Sequence, residues 1–202
     1  MKVSNGMKKT RNFVVGIDEV GRGPIAGPLA VGAVLLDKKH KKILRGIKDS
    51  KKLSPDAREK WHEKIKKHQE EGIIKYEVFF VNEKVIDKKG LSHSLKFAVS
   101  NCLKALGVDK KTEILLDGSL YAPDVYINQK TIIKGDEKEV VISAASIMAK
   151  VMRDKRMVSF SKKYPKYGFE KHKGYGTKAH YRAIKKHGLS KIHRKSFRNL
   201  RG

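Results

Sequence analysis

The sequence predicts an α/β layer fold built as one domain. Short runs of β-branched and small apolar residues alternate with longer segments of helical periodicity, which is typical of strands and helices packed in layers. The 202 residues are 39% hydrophobic and 34% charged, as in globular domains. No internal repeat, low-complexity tract or linker divides the chain, so a single domain is expected.

Five apolar runs are predicted as strands, at residues 13–17, 29–36, 73–81, 113–116 and 131–134. Acidic residues follow three of them. Asp18 and Glu19 come directly after the first run, Asp117 follows the fourth, and Asp136 follows the fifth. Functional sites in open α/β sheets are built where strands end, so these acids are candidate site residues.

Four segments are predicted as helices. The first has Ser54 as its N-cap and Pro55 in its first turn, and it ends near residue 71. Residues 91–106 carry apolar side chains at helical spacing. Residues 140–161 are apolar on most faces, which predicts a largely buried helix. The last helix runs from a Thr177 cap to residue 187, and glycines follow the first, second and last helices.

The charge of the chain indicates a polyanionic partner. Lys and Arg number 47 and Asp and Glu 21, a net charge of +26, which favours nucleic acid, although lysine-rich surfaces also serve solubility or thermostability. The single Cys102 excludes an intrachain disulfide framework and fits a reducing compartment. Because the sequence shows no signal peptide and no membrane span, we expect a cytoplasmic protein without membrane contact.

The four acids at strand ends predict a metal site. An isolated acid after a strand is usually a turn former, but carboxylates from neighbouring strands converge and repel one another unless a cation lies among them. Oxygen ligands without cysteine favour Mg²⁺ or Mn²⁺, and two such ions can cleave a phosphodiester. Asp18 and Glu19 share one site only if their strand breaks between them, and Gly21 and Gly23 favour such a break.

Two small polar segments are candidate substrate contacts. Gly21, Arg22 and Gly23 let backbone amides approach a phosphate or sugar, although the same glycines are compatible with a plain tight turn. The segment before the first helix presents small polar groups and cations suited to a phosphate, or alternatively a solvated face. Its candidate residues are Ser50, Lys51 and Lys52.

The C-terminal portion interleaves aromatic and basic residues, a composition that suits stacking on bases or sugars beside a charged backbone. Tyr175 stands out because Gly174 and Gly176 flank it and leave its ring accessible. Phe169 and Tyr181 are expected in a local core instead.

A polar stripe crosses the otherwise apolar helix of residues 140–161. Ser143, Ser146, Lys150 and Asp154 lie at spacings of three, four and four, which places them on one face. Such a stripe faces a site or water, so Ser146 and Lys150 are candidate substrate contacts. Lys150 and Asp154 are also suited to an ordinary ion pair one turn apart.

Taken together, these motifs resemble the bacterial ribonuclease HII family, the type 2 ribonucleases H. The resemblance covers roughly residues 12–198, with the motifs in family order: GIDEVGRGPIAGPLAVGAVLL, DSKKLS, LLDGS, KGD, ISAASIMAKVMRD, YGFEKHKGYGT and HRKSF. Aspartate rather than glutamate at position 136, and only about ten residues before the first strand, favour type HII over type HIII.

The resemblance implies a ribonuclease H-like mixed sheet flanked by helices, with a catalytic core at residues 12–160 and a small helical substrate-binding region at 161–202, forming one compact unit. It implies an endonuclease that cuts the RNA strand of RNA–DNA hybrids and cuts 5′ to single ribonucleotides in duplex DNA, leaving 3′-hydroxyl and 5′-phosphate ends. We expect it to act as a monomer, in DNA replication and ribonucleotide excision repair.

The resemblance also implies roles for individual residues. The four metal-binding acids of the family fall on Asp18, Glu19, Asp117 and Asp136, which would hold two Mg²⁺ or Mn²⁺ ions when substrate is bound. The backbone of residues 21–23 would contact the 2′-hydroxyl at the RNA–DNA junction. The ring of Tyr175 would stack on the deoxyribose that follows, and the DSKK segment would lie near the scissile phosphate.

Two other functions fit part of the pattern. A metal nuclease of the same fold, such as a junction resolvase or a transposase-like enzyme, would cut DNA that lacks ribose. A non-catalytic nucleic-acid binder accounts for the charge but gives no reason for acids at successive strand ends.

Overall fold

The computed structural model describes residues 12–47 and 52–197, which contain one five-stranded mixed sheet. Its strands are β1 (Phe13–Val20), β2 (Leu29–Asp37), β3 (Ile74–Val81), β4 (Glu113–Asp117) and β5 (Gln129–Ile132). Their order across the sheet is β3-β2-β1-β4-β5. The β1–β2 and β2–β3 pairs are antiparallel, whereas β1–β4 and β4–β5 are parallel. The predicted α/β class, with a mixed sheet flanked by helices, is confirmed.

Helices cover both faces of the sheet. They are α1 (Pro55–Glu70), α2 (Glu83–Ala105), α3 (Gly135–Lys138), α4 (Val140–Lys163), α5 (Phe169–His172) and α6 (Lys178–His187), with 3-10 helices at Lys38–Leu44 and Pro165–Tyr167. The predicted caps are present, since the Ala57 amide donates to Ser54 Oγ at 3.2 Å and the His180 amide donates to Thr177 Oγ1 at 3.2 Å. None of the helices in the described ranges is long and apolar enough to span a bilayer.

The sheet separates two apolar layers because alternate strand residues face opposite sides. Val15 and Ile17 of β1 pack on the α2 side with Leu103. Val14 faces the other side, where α1 and α4 contribute Ile65 and other apolar residues. All five of these side chains are fully buried.

Two strand glycines allow α4 to lie directly against the sheet. A Cβ at Gly16 of β1 would clash with the backbone of Val141, and a Cβ at Gly32 of β2 would clash with the carbonyl of Ala145. Glycine within a strand marks such a close approach of another backbone. The contact brings the first turns of α4 beside the end of β1, where Asp18 lies.

Several element bounds differ from the prediction. β1 continues to Val20, and β5 lies two residues earlier than expected, so Asp136 belongs to α3. Helix α2 begins at Glu83, after an Asn82 N-cap, rather than at residue 91. A non-helical residue inside it, Gly90 with φ +80°, kinks the helix and interrupts the apolar periodicity, which hid its first part.

A third, smaller core lies in the C-terminal region, around Phe169, Met157, Ile192 and Ala26. Phe169 is fully buried, as expected. The expected boundary between residues 160 and 161 falls within α4, which extends to Lys163. Met157 and Phe160 of that helix pack into the C-terminal core. The division into a core and a substrate-binding region stays a prediction.

Candidate active site

Three of the four predicted acids converge at one edge of the sheet. Asp18 lies in β1 and Asp117 ends β4, and the parallel register that pairs Ile17 with Leu116 brings the two aspartates side by side. Asp136 lies in the first turn of α3, just after β5. One carboxylate oxygen from each aspartate lies within 4.8 Å of the others.

Backbone and hydroxyl donors hold these carboxylates in place. The Gly135 amide donates to Asp117 Oδ1 at 2.6 Å, which connects the end of β4 to the start of α3. The Glu19 amide donates to Asp18 Oδ1 at 2.7 Å, and the Ser146 side chain hydrogen-bonds to the same carboxylate. The acids are therefore oriented by the fold itself.

Glu19 is the predicted acid outside this group of three aspartates. The strand break expected at Asp18 and Glu19 does not occur, because β1 pairs with β2 as far as Val20. Glu19 Oε1 lies 3.3 Å from Arg22 Nη1. It still lies close enough to Asp117 for the charge of that aspartate to raise the pKa of Glu19.

The electrostatics of the cluster are unfavourable without a cation. Burial raises the pKa of Asp18 well above its ordinary value, and the charges of Glu19 and Asp117 raise it further. Burial also raises the pKa of Glu19, although Arg22 opposes that shift. The group of Asp18, Asp117 and Asp136 contains no thiol or imidazole, so its oxygen ligands suit Mg²⁺ or Mn²⁺.

The predicted glycine loop, residues 21–23, lies next to Tyr175. Tyr175 is 43% exposed, and its Cε1 would lie 3.9 Å from a Cβ built at the exposed Gly23. Gly21 is buried with φ +94°, and a Cβ there would clash with the guanidinium of Arg153. Arg22 is exposed and donates to Ser119 Oγ at 3.1 Å. An exposed ring and an exposed glycine are thus neighbours at the surface, and the separation between them is called the gap below.

The glycines beside Tyr175 have a packing role in addition to leaving its ring exposed. A Cβ at Gly174, where φ is +88°, would clash with the carbonyl of Ala26. A Cβ at Gly176 would lie 2.8 Å from the hydroxyl of Tyr181. These close approaches fix the loop that carries Tyr175.

A family model described as Ribonuclease HII matches residues 15–200. The chain belongs to the ribonuclease HII family. It is 46% identical to Ribonuclease HII of Caldicellulosiruptor bescii over 185 residues, which cover 92% of this chain and 86% of the relative. It is 44% identical to Ribonuclease HII of Clostridioides difficile over 197 residues, 96% of this chain and 73% of that protein.

Solved structures agree with this membership. Ribonuclease H2 from Pyrococcus horikoshii superposes with a TM-score of 0.73 at 30% identity, over 94% of this chain and 95% of the other. RNase HII of Archaeoglobus fulgidus, from its complex with PCNA, gives a TM-score of 0.74 at 27% identity, over 92% and 95%. The predictions of the ribonuclease HII family and of a ribonuclease H-type endonuclease are confirmed.

The structure places the other predicted substrate contacts differently relative to the four acids. Lys52 Nζ lies 2.9 Å from Glu137, the neighbour of Asp136, whereas Ser50 and Lys51 fall outside the described residues. Ser146 contacts Asp18, as described above. Lys150 forms an ion pair with Asp154 at 3.0 Å, the alternative that its spacing left open. Substrate contacts by these residues stay predictions.

Sequence reasoning missed four buried polar residues behind the glycine loop: Arg153, His180, His193 and Arg194. Arg153 carried a signal, because a cation in a helix that is otherwise apolar is rarely buried without a partner. It follows Lys150 by three residues, so the polar face of the helix includes Arg153 as well as Asp154. His193 and Arg194 begin the HRKSF motif, but nothing in their residue types distinguishes them or His180 from the other basic residues of the C-terminal segment.

Proposed function

We propose that this member of the ribonuclease HII family hydrolyses the RNA strand of RNA–DNA hybrids and cuts duplex DNA on the 5′ side of an embedded ribonucleotide. The products carry 3′-hydroxyl and 5′-phosphate ends. The observation that carries the proposal is the cluster of Asp18, Asp117 and Asp136 at the same end of the sheet as the gap between Gly23 and Tyr175.

The acids hold the metal in this proposal. Asp18, Asp117 and Asp136 supply oxygen ligands, and Glu19 completes the set when it exchanges Arg22 for a cation. Two bound Mg²⁺ or Mn²⁺ ions would supply an activated water and stabilise the departing 3′-oxygen. The raised pKa of Asp18 supports this assignment, because burial first and the charges of Glu19 and Asp117 second disfavour its ionised form, and a bound cation would offset both effects.

The glycine loop and Tyr175 recognise the sugar change in this proposal. Backbone groups of residues 21–23 contact the 2′-hydroxyl of the last ribonucleotide, since glycines permit a close approach. The exposed ring of Tyr175 stacks on the next sugar, a deoxyribose. A 2′-hydroxyl on that sugar would disturb the stacking, which favours a junction over continuous RNA.

The charge of the chain supports the choice of a nucleic-acid duplex as substrate. A net charge of +26 attracts the phosphate backbone, and exposed lysines neutralise phosphates without reading sequence. Binding is therefore expected to weaken as salt rises.

The test compares three labelled substrates: a DNA duplex with one ribonucleotide, an all-DNA duplex of the same sequence, and an RNA–DNA hybrid. With Mg²⁺ or Mn²⁺, we expect cutting 5′ to the ribonucleotide and along the hybrid RNA, none in the all-DNA duplex, and none with EDTA. Cutting of the all-DNA duplex would favour another nuclease of this fold. Cutting of no substrate would leave only a basic nucleic-acid binder.

Two matched variants test the metal assignment. Asp136→Asn should bind the duplex as the wild type does but lose about 10³-fold or more in turnover, the scale of removing an essential group. Asp124→Asn makes the same change at an exposed aspartate outside the cluster and should leave turnover unchanged. Full turnover by Asp136→Asn at saturating metal would overturn the assignment.

A further inference from the structure

Three segments that are distant in the sequence meet behind the glycine loop. The Gly27 amide donates to the Ile192 carbonyl at 2.8 Å, and the Arg194 amide donates to the Ile25 carbonyl at 2.9 Å. The Ile25 amide also donates to the carbonyl of Gly174, next to Tyr175, at 2.9 Å. The segment at residues 192–194 therefore lies against both the glycine loop and the chain that carries Tyr175.

Arg194 holds the glycine loop from this segment. Its side chain is fully buried and donates three hydrogen bonds: Nη2 to the Gly21 carbonyl at 2.7 Å, Nη1 to the Arg22 carbonyl at 3.1 Å and Nε to the Gly27 carbonyl at 2.9 Å. Burial lowers the pKa of Arg194 to about 9, so the group stays charged at neutral pH. One rigid guanidinium thus holds the glycine loop at residues 21 and 22 and the following chain at Gly27.

His193, the preceding residue, reaches Tyr175 through a second histidine. The Ser190 amide donates to His193 Nδ1 at 2.8 Å, so the proton of His193 lies on Nε2. That Nε2 lies 3.0 Å from His180 Nε2, which accepts it. The Nδ1 proton of His180 is then donated to the Tyr175 carbonyl at 2.8 Å, because a carbonyl only accepts.

The Ser190 amide at one end and the Tyr175 carbonyl at the other determine the direction of every hydrogen bond in this series of side chains. Both rings are neutral, each is held in one tautomer, and both are buried. His180 also stacks on His172, with ring centroids 4.2 Å apart. The carbonyl of Tyr175 is therefore held by a rigid array of rings rather than by a flexible side chain.

His193 and Arg194 are adjacent in the sequence, and the hydrogen bonds that start from them form two arms. One arm ends on the glycine loop and the other on Tyr175, on opposite sides of the gap. Arg194 ends on the carbonyls of Gly21 and Arg22, and His193 ends, through His180, on Tyr175. The two sides of the gap are close, since a Cβ at Gly23 would lie 3.9 Å from the Tyr175 ring. A small displacement of either arm would change the width of that gap.

We propose that His193 and Arg194 are positioning residues that set the gap between the glycine loop and Tyr175, and that this gap decides how strongly a ribose–deoxyribose junction is preferred over continuous RNA. The inference rests on the proposed function, because it concerns the same gap. Neither residue contacts the acids, so each acts through the groups that it holds.

The test measures kcat and KM on a duplex with one ribonucleotide and on a uniform RNA–DNA hybrid. The quantity of interest is the ratio of the two kcat/KM values. His193→Leu removes the proton donated to His180, and we expect the ratio to fall about tenfold to a hundredfold, the scale of a small misplacement at a reacting site. His193→Gln retains a donor at that position and should restore most of the ratio.

Arg194→Lys tests the other arm, because lysine keeps the charge but not the three-way geometry. We expect the same fall in the ratio. Leu103→Ala is the control for stability alone, since it opens a cavity beside α2, in a different core. Its ratio should equal that of the wild type, with all proteins assayed below their measured melting temperatures.

The outcomes separate the inference from the proposed function. If the wild type cuts neither substrate, the proposed function fails. If the wild type cuts both and the folded variants lose activity equally on each, the residues are only structural and the inference is overturned. If His193→Leu does not fold, His193→Asn and Arg194→Lys decide, and an unchanged ratio in both overturns the inference.

Discussion

At the ends of β1 and β4, like-charged carboxylates lie close together, whereas behind the glycine loop buried guanidinium and imidazole groups donate to backbone carbonyls or to one another. The residues that carry these groups form the C-terminal network: Arg153, His180, His193 and Arg194. Asp18 has like charges beside it and a raised pKa. Arg153 is equally buried, but its guanidinium donates to the carbonyls of Pro28 at 2.9 Å and Lys173 at 3.1 Å.

The difference separates two uses of buried polar groups. Under the proposed function, the acid cluster needs a cation to offset its repulsion, so it is expected to cost stability in the free protein. The C-terminal network has its donors and acceptors within the protein, so it stabilises the fold and holds loops in place. The two groups are therefore expected to respond to substitution in opposite directions.

The largest effect is expected from removing a donor of the C-terminal network. Arg153→Met leaves buried carbonyls without their partner and should lower the free energy of unfolding by about 3 kcal/mol or more. Arg156→Met is the control on the same helix, because Arg156 is exposed and only lies over the Phe80 ring. It should cost at most about 1 kcal/mol. Denaturant unfolding measures both, and equal losses would contradict the comparison.

The second largest effect is expected from low pH, which should weaken the same network. Burial lowers the pKa of His180 and of His193 to about 4, from an ordinary 6.5, and the neighbouring His172 adds to the lowering. The unfolded chain therefore binds more protons below pH 6.5, so stability falls as pH drops from about 6.5 towards 4, by roughly 3 kcal/mol for each of the two histidines.

Unfolding at several pH values checks this dependence. The His193→Gln variant should lose much less stability over the same pH range, since it has one buried imidazole fewer. His93→Gln, which changes an exposed histidine of α2, should keep the profile of the wild type. A wild-type profile in His193→Gln would mean that the buried pair does not titrate in this range.

A substitution in the acid cluster should change stability in the opposite direction. Asp18→Asn removes a buried charge that its neighbours oppose, so in EDTA it should raise the free energy of unfolding by about 1 to 2 kcal/mol. The same variant should lose the stabilisation that Mn²⁺ gives the wild type. Asp37→Asn is the contrast, because the Lys39 amide lowers the pKa of that half-buried aspartate, and its substitution should be mildly destabilising. A destabilised Asp18→Asn in EDTA would contradict the comparison.

The smallest effect on stability is expected at Gly23. Gly23→Ala meets only ordinary contact with Tyr175, so stability should change by no more than about 0.5 kcal/mol, while junction cutting falls as the methyl group narrows the gap. Gly21→Ala requires a positive φ and clashes with Arg153, so it should lower stability as well. Melting curves and the junction assay together distinguish the two, and unchanged cutting by Gly23→Ala would exclude a close approach of substrate there.

Local patterns predicted much of this molecule. The caps at Ser54 and Thr177 and the apolar strand runs depend on neighbours in the sequence, so these elements were predicted with small errors in their bounds. The errors in the bounds have two causes. β1 extends through Val20 because the distant strand β2 pairs with it, whereas the start of α2 was missed because the kink at Gly90 interrupts the helical pattern locally.

The candidate site divides in the same way. The sequence by itself determined that acids follow apolar runs and that a glycine loop follows the first pair, because both are properties of adjacent residues. Only the tertiary structure decided that Asp136 joins Asp18 and Asp117 while Glu19 faces Arg22, since that depends on strand order and on the pleat of β1.

The C-terminal network was decided by the tertiary structure alone. Arg153 and the carbonyl of Pro28 are 125 positions apart, and Arg194 and the carbonyl of Gly21 are 173 apart. Periodicity reports that a segment is buried, but it does not report which backbone carbonyl will lie opposite a buried donor. Any residue supplies a carbonyl, so the partner of a buried guanidinium leaves no signature in the sequence and exists only once the chain has folded.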